Sequence, residues 1–309
     1  MGSLNVEFAC PGLSARGFSI AERKVNGGGR SFDDLKPGMV TLIGVPSDEN
    51  SSFMQGAAHA PARIRAALYS GASNLCAESG LDLGAEPRWR DVGDLELDHS
   101  ATTVEQIECA IGTLLERGVR VLTLGGDHAI TYPIVRAFAA RYHALNLLHL
   151  DAHPDLYDDY EGNPHSHASP FARIMEEELV RRLVQVGIRT MNPHQRAQAE
   201  RFRVEVIDML RWQPGMRWQF DGPVYLSLDM DVLDPAFAPG VSHHEPGGLS
   251  TREIVRLIQD LDAPIVGADI VEFNPERDPL GITASAAAKV LKEISASMLV
   301  MSDPTLQAR

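Results

Sequence analysis

Cysteine, clustered basic residues and long apolar runs are all scarce in this chain, and each shortage closes off a class of function. Three cysteines are present, Cys10, Cys76 and Cys109. An odd, scattered set gives neither a disulfide framework nor a thiolate metal motif, so reduced thiols in a cytoplasmic protein are expected. No apolar run reaches the roughly 18 residues that a membrane helix needs. The first residues lack an apolar leader core, and Arg16, Glu22 and Arg23 break up the next stretch. Val6 stands where a myristoylation signal needs Ser or Thr. The longest basic cluster is the pair Arg181 and Arg182, too short for a nucleic-acid surface. No membrane and no nucleic-acid partner is therefore expected.

What is present is acid and apolar residues. Asp and Glu number 42 against 28 Lys and Arg, a formal charge of -14, which mildly favours cationic small molecules. Apolar residues make up 44% of the 309, enough for a sizeable core. Residues 1–37 are Gly-rich, with GGGR at 27–30, and are expected as a loosely packed N-terminal extension. From residue 38 to 309 a single domain is expected, since no repeat or linker interrupts it.

Strands are expected at 40–45, 119–124, 144–150, 183–188, 224–228 and 265–271. Helices are expected at 60–69, 104–117, 130–142, near 193–203, 250–261 and 284–300. Pro61 suits the first turn of its helix. Ser250 with Glu253 forms a capping-box pattern. This alternation predicts an α/β fold, a mainly parallel central sheet with helices on both faces.

Two short blocks carry the chemistry. LDAHPD holds Asp151, His153 and Asp155, and SLDMDVLDP holds Asp229 and Asp231. His128, in LGGDH, lies just upstream. Each block follows an apolar run, at the carboxyl end of a strand, where open α/β sheets place ligands. Read as extended chain, alternate side chains share a face, so each block aims its ligands at one point. Four carboxylates crowded together repel strongly, and a pair of divalent cations removes that cost. Two such ions would bring the net charge from -14 to about -10. Oxygen-rich sites with some imidazole suit manganese first and nickel second. Metals sharing carboxylates can hold a water between them and lower its pKa toward neutrality. A lone Asp after a strand is usually a cap or turn former, but six residues in three blocks make coincidence a poor account.

Other residues weigh less on spacing alone. His167, in HSHAS, lies on a loop that must pass near the site, although a lone His there is more often a turn residue. Glu272, in DIVEFNP, ends a strand, and a buried carboxylate there needs a cationic partner. His243 and His244, in SHHEPGG, either line the pocket or cap a turn.

Together, GGDH, DAHPD, SLDMDVLDP and DIVEFNP resemble the ureohydrolases, meaning arginase, agmatinase and related guanidino-compound hydrolases. The resemblance runs from about residue 39 to 300. NSSFMQG, LHLDAHPDLYD, SHASPFARIME and DPAFAPGVSHHEPGGLS are most similar to plant-type arginases and their bacterial relatives. The resemblance implies an arginase-like three-layer α/β/α fold, trimers or hexamers, and a binuclear centre of manganese or, in some relatives, nickel. It implies that His128, Asp151, Asp155 and Asp229 hold one ion. His153, Asp151, Asp229 and Asp231 would hold the other, with Asp151 and Asp229 bridging. Asp155 would also bond the attacking hydroxide and pass its proton to the departing amine. His167 matches a proton-shuttle histidine, and Glu272 matches the carboxylate that grips the guanidinium.

The loop DLYDDYEGNPHSHAS carries Asp158, Asp159 and Glu161, where acid disfavours a substrate carboxylate. Asn163 and His244 are expected to join His167 and Glu272 around the substrate. Plant-type relatives carry an apolar residue where His244 stands. That departure opens the choice to agmatine, guanidine, an alkylguanidine or a biguanide beside arginine. Two rival readings stand: a metal-dependent deacetylase-like amidohydrolase, and a non-catalytic subunit of a mixed oligomer.

Overall fold

Runs such as VTLIG at Val40–Gly44 have no polar face to offer water, so a layer must cover each side. The computed structural model describes residues 4–6, 18–21, 34–98 and 101–300. Its strands are β1 (Leu4–Val6), β2 (Phe18–Ala21), β3 (Val40–Gly44), β4 (Trp89–Leu95) and β5 (Arg120–Leu124). They continue with β6 (Asn146–Leu150), β7 (Arg182–Ile188), β8 (Glu205–Asp208), β9 (Val224–Asp229) and β10 (Ile265–Val271). The helices are α1 (Ala60–Leu68), α2 (Thr103–Glu116), α3 (Thr131–Arg141), α4 (Pro170–Glu176), α5 (Pro193–Phe202), α6 (Thr251–Gln259) and α7 (Ile282–Val300).

The strands form one sheet in the order β1-β2-β4-β3-β5-β10-β9-β6-β7-β8. Eight of them, β3 to β10, run parallel. Helices α1, α6 and α7 cover one face through Ile64, Leu68, Ile254, Ile258 and Leu291. Helices α2 to α5 cover the other through Ile111, Leu114, Phe138, Phe171 and Ala199. This is the expected three-layer α/β/α arrangement. Ser250 and Glu253 close the capping box at the start of α6.

Three expectations are corrected. Within the supposed N-terminal extension, β1 and β2 add an antiparallel ribbon to the sheet edge, and β2 pairs with β4. The GGGR stretch and Cys10 lie outside the described residues. Strand β4 went unseen because its Asp91 and Asp94 break the apolar pattern. Arg65 of α1 bonds both carboxylates, with Nε 2.9 Å from Asp91 Oδ2, a tertiary pairing with no local signature. Cys109 is disulfide-bonded, against the expectation of reduced thiols, and Cys76 is a free thiol. No helix among the described residues is long and apolar enough to cross a membrane.

Candidate metal centre and substrate cleft

Strands β5, β10, β9 and β6 are neighbours at the middle of the sheet. Their carboxyl ends lead directly to His128, Glu272, Asp229 and Asp151. The sheet order therefore assembles one site from four distant stretches of chain. Gly126 lets the loops close on each other: a Cβ there would lie 1.6 Å from Ser47 O. The glycine of GGDH is thus required by backbone approach.

The candidate ligands converge, but not by strand alternation. The expected cause was the alternate spacing of Asp151, His153 and Asp155 in extended chain. Instead β6 ends at Leu150 and the block turns. Asp155 takes φ 48°, in the left-handed region, and Asp231 lies in a 3-10 turn, Met230–Val232. Glu272 also takes a left-handed φ of 62°. Such strain at a non-glycine costs roughly 1–3 kcal/mol and clusters at functional sites.

The side chains form two joined groups. In the deep group, His128 Nδ1 lies 3.2 Å from Asp151 Oδ2, 3.0 Å from Asp155 Oδ2 and 3.3 Å from Asp229 Oδ2. In the rim group, His153 Nδ1 lies 2.9 Å from Asp231 Oδ2 and 3.4 Å from Asp151 Oδ1. Asp151 therefore turns one oxygen to each group. Asp229 faces the deep group, while its Oδ1 accepts the Asp231 N–H at 2.7 Å.

Two buried chains sit behind the ligands, and sequence reasoning missed both. His128 Nε2 is 3.0 Å from Ser227 Oγ, which donates to Asp269 Oδ1 at 2.7 Å. His149 Nε2 is 2.7 Å from Asp151 Oδ2, and its Nδ1 accepts from Gln185 Nε2 at 3.0 Å. The signal for His149 and Ser227 was available. Each lies two residues before a ligand on an apolar strand, hence on the same face.

These residues fit a bound cation. His128 Nδ1 is buried and has no hydrogen-bond partner, although three carboxylate oxygens lie within 3.3 Å. Its other nitrogen is engaged by Ser227, so a lone pair at Nδ1 faces the acid nest. Electrostatics agree. Burial, with Asp231 and Asp151 nearby, pushes Asp229 well above the usual carboxylate range. Burial alone would lower His128 and His153, yet the surrounding carboxylates hold both well above the ordinary imidazole range. Without ions, protons serve as the counter-charge.

Beside the nest opens a cleft of about 180 Å³. His153, Asp155, Asp229, Asp231, His167 and Glu272 line its floor. His167 Nδ1 lies 2.8 Å from Glu272 Oε1, and its Nε2 lies 2.8 Å from Ser52 Oγ. Burial lowers the imidazole, but Glu272 outweighs it and brings His167 up to about 9. The rim carries Ser52, Tyr157, Tyr160, Thr190, Asn192, Gln195 and His243, with no Lys or Arg in the described lining.

Two expected substrate contacts lie elsewhere. His244 is exposed and points away; its Nε2 is 2.7 Å from Pro239 O, and its Nδ1 is 3.1 Å from Arg277 Nη2. Its neighbour His243 takes the cleft position instead. Asn163 does not line the cleft either. Its Nδ2 donates to Asn50 Oδ1 at 3.0 Å, tying the loop behind the rim.

The arginase family model matches residues 39–296. The chain is 45% identical over 280 residues to Arginase 1, mitochondrial, of Arabidopsis thaliana, covering 84% of this chain and 80% of the relative. It is 36% identical to the mitochondrial guanidino acid hydrolase of Homo sapiens, over 82% of this chain and 76% of that protein. The solved arginase from Medicago truncatula superposes with TM-score 0.78 at 43% identity, covering 84% of this chain and 87% of that one.

Proposed function

Because this chain belongs to the arginase family, and is thus a metal-dependent hydrolase of linear amidines, we propose that it cleaves a guanidino compound to urea and an amine in the cleft beside the acid nest. One observation carries the reading. Asp151 offers one oxygen to His128's group and the other to His153's, beside a buried Glu272.

His128, Asp151, Asp155 and Asp229 would hold one divalent ion, and His153, Asp151, Asp229 and Asp231 the other, with manganese first and nickel second. When bound, the pair supplies a water activated for attack near neutral pH. The rest falls to the chain. A guanidinium stays protonated at any working pH, and Glu272 offers it a planar, two-oxygen partner. Asp155 lies beside the reacting centre and would pass a proton to the amine. His167 would supply or remove the proton that solvent must settle.

A rim without Lys or Arg supports guanidine, an alkylguanidine or a biguanide, whose far end brings no carboxylate. Arginine is the second reading, supported by likeness to the plant arginases. Its carboxylate would use the amides of Asn192 and Gln195. A homo-oligomer, trimer or hexamer, in the cytoplasm completes the reading, with a mixed oligomer as the alternative. The test is a screen of arginine, agmatine, guanidine, alkylguanidines and biguanides for urea, with manganese- and nickel-loaded protein. Urea release is expected to vanish in Asp155→Ala and Asp229→Ala; release persisting in either contradicts the assignment.

A further inference from the structure

The segment from Asp48 to Gly56 is a strap across the mouth of the cleft. Its first foot is fixed where Asp127 Oδ2 accepts from Asn50 N–H at 3.0 Å and from Ser51 Oγ at 3.4 Å. Asn50 also accepts from Asn163 Nδ2 at 3.0 Å and, through its carbonyl, from His167 N–H at 3.2 Å. The second foot is fixed by Ser242 Oγ on Met54 O at 3.0 Å and by Asn274 Nδ2 on Gln55 O at 3.1 Å. Asp48 Oδ2 draws the two feet together by accepting the Gly56 N–H at 2.6 Å. Ser52 and Phe53 form the exposed apex.

The strap brings one hydroxyl to one imidazole. His167 is only 7% exposed, whereas Ser52 meets solvent. The inner nitrogen of the ring, Nδ1, faces Glu272 and the cleft floor at 2.8 Å. The outer nitrogen, Nε2, faces Ser52 Oγ at 2.8 Å. A proton can therefore enter at one nitrogen and leave from the other without turning the ring.

We propose that Ser52 is the outer link of a proton path between bulk water and the departing amine, with the His167 ring as its inner link. This rests on the ureohydrolase reading above. In the reaction one C–O bond forms and one C–N bond breaks. Starting from a guanidinium, the attacking water gives up both protons and the amine nitrogen takes two to leave as an ammonium, so no proton is gained or lost overall. The two events are separate in time, and the path lets solvent settle the difference. Asp155 carries one proton to the amine; the other comes from Nδ1–H of a neutral His167 as Ser52 donates to the Nε2 lone pair and is replenished from water, and the proton that the attacking water first releases resets the ring by the reverse route.

The experiment compares wild type, Ser52→Ala and Ser52→Thr as full-length, manganese-loaded protein. Urea release from arginine, agmatine, guanidine, alkylguanidines and biguanides is followed in dilute buffer and with added imidazole. Ser52→Ala is expected to lower kcat by about 10-fold in dilute buffer with little change in KM, less than the roughly 10²-fold or more of a group that transfers the proton itself, because Ser52 acts one link away. Added imidazole, carrying protons directly to His167, should return the rate. Ser52→Thr, which keeps a hydroxyl, should recover most of the loss without imidazole. The inference is overturned if Ser52→Ala matches wild type in dilute buffer, or if its loss resists imidazole. The latter would make Ser52 a prop for the ring. Wild-type protein that makes no urea from any of these compounds overturns the underlying reading instead, and this inference with it.

Discussion

The deep and rim halves of the acid nest use the same residue types and differ in their contact with water. The His128 and Asp151 side chains are fully sealed, whereas the His153 side chain is 25% exposed. The deep ligands are also backed. Ser227 and Asp269 stand behind His128, and His149 and Gln185 stand behind Asp151. His153 has a looser surrounding, with the His243 ring at 5.9 Å. Burial strengthens electrostatic attraction, and partners behind a ligand fix its tautomer and direction. On the proposed reading the sealed half is preorganised for an ion, and the open half is where exchange and substrate entry would occur.

The harshest way to break this comparison is to remove what the halves share. Asp151→Asn should lower urea formation by about 10³-fold or more, the scale of losing one member of a catalytic unit. A rate within tenfold of wild type would show that the two groups work independently. A gentler pair of variants sharpens the contrast. After dialysis, His153→Asn should retain about one metal ion per chain by elemental analysis, while His128→Asn retains almost none. Equal losses would erase the distinction between halves. Both histidines are held protonated in the metal-free nest. Loading stripped protein with manganese at neutral pH should therefore release protons to an indicator dye, from the two imidazoles and from Asp229. Loading without proton release would mean the imidazoles were already neutral.

The two halves were not equally legible in the sequence. Apolar runs and ligand blocks marked the strands, their ends and all six candidate ligands. The reason given for their convergence was misplaced by one step. Alternation in extended chain relates His149 to Asp151 and Ser227 to Asp229, at the strand ends. His153, Asp155 and Asp231 arrive through turns, and the left-handed φ of Asp155 leaves no mark on composition. Strand β4 was hidden for a related reason: its charges are balanced by Arg65, 26 residues earlier than Asp91. Seven-residue α4 is too short to show a helical period. What depends on contacts between distant segments stayed illegible, and so did which of two adjacent histidines turns inward.

A smaller effect lies at the boundary between the nest and the strap. Glu272 raises His167 to about 9, from an ordinary value of about 6.5. A raised imidazole contributes stability that is whole below about pH 6.5 and lost as pH climbs through about 9. In metal-stripped protein the contribution is at most about 3 kcal/mol. The Tm gap between wild type and His167→Asn should therefore narrow from about pH 6 to about pH 9.5. Other titrating groups occur in both proteins and largely cancel in the gap. A gap that stays constant would mean that the Glu272 contact carries no net charge on the ring.

The smallest expected effect separates neighbours in the chain. His243 lies in the cleft, its ring 5.4 Å from His167, and burial lowers its pKa. His244 is exposed, and its two nitrogens are already engaged by Pro239 O and Arg277. An exposed contact of this kind is worth about 0.5 kcal/mol or less. His244→Ala should leave kcat and KM within about twofold, while His243→Ala, which opens the cleft wall, should raise KM several-fold. The pair therefore tests whether substrate choice is written on the inner surface of the SHHEPGG turn or on its outer one. A changed order of preferred guanidino compounds in His244→Ala would place that imidazole against the substrate. The outward orientation of His244 could not then be the one present during turnover.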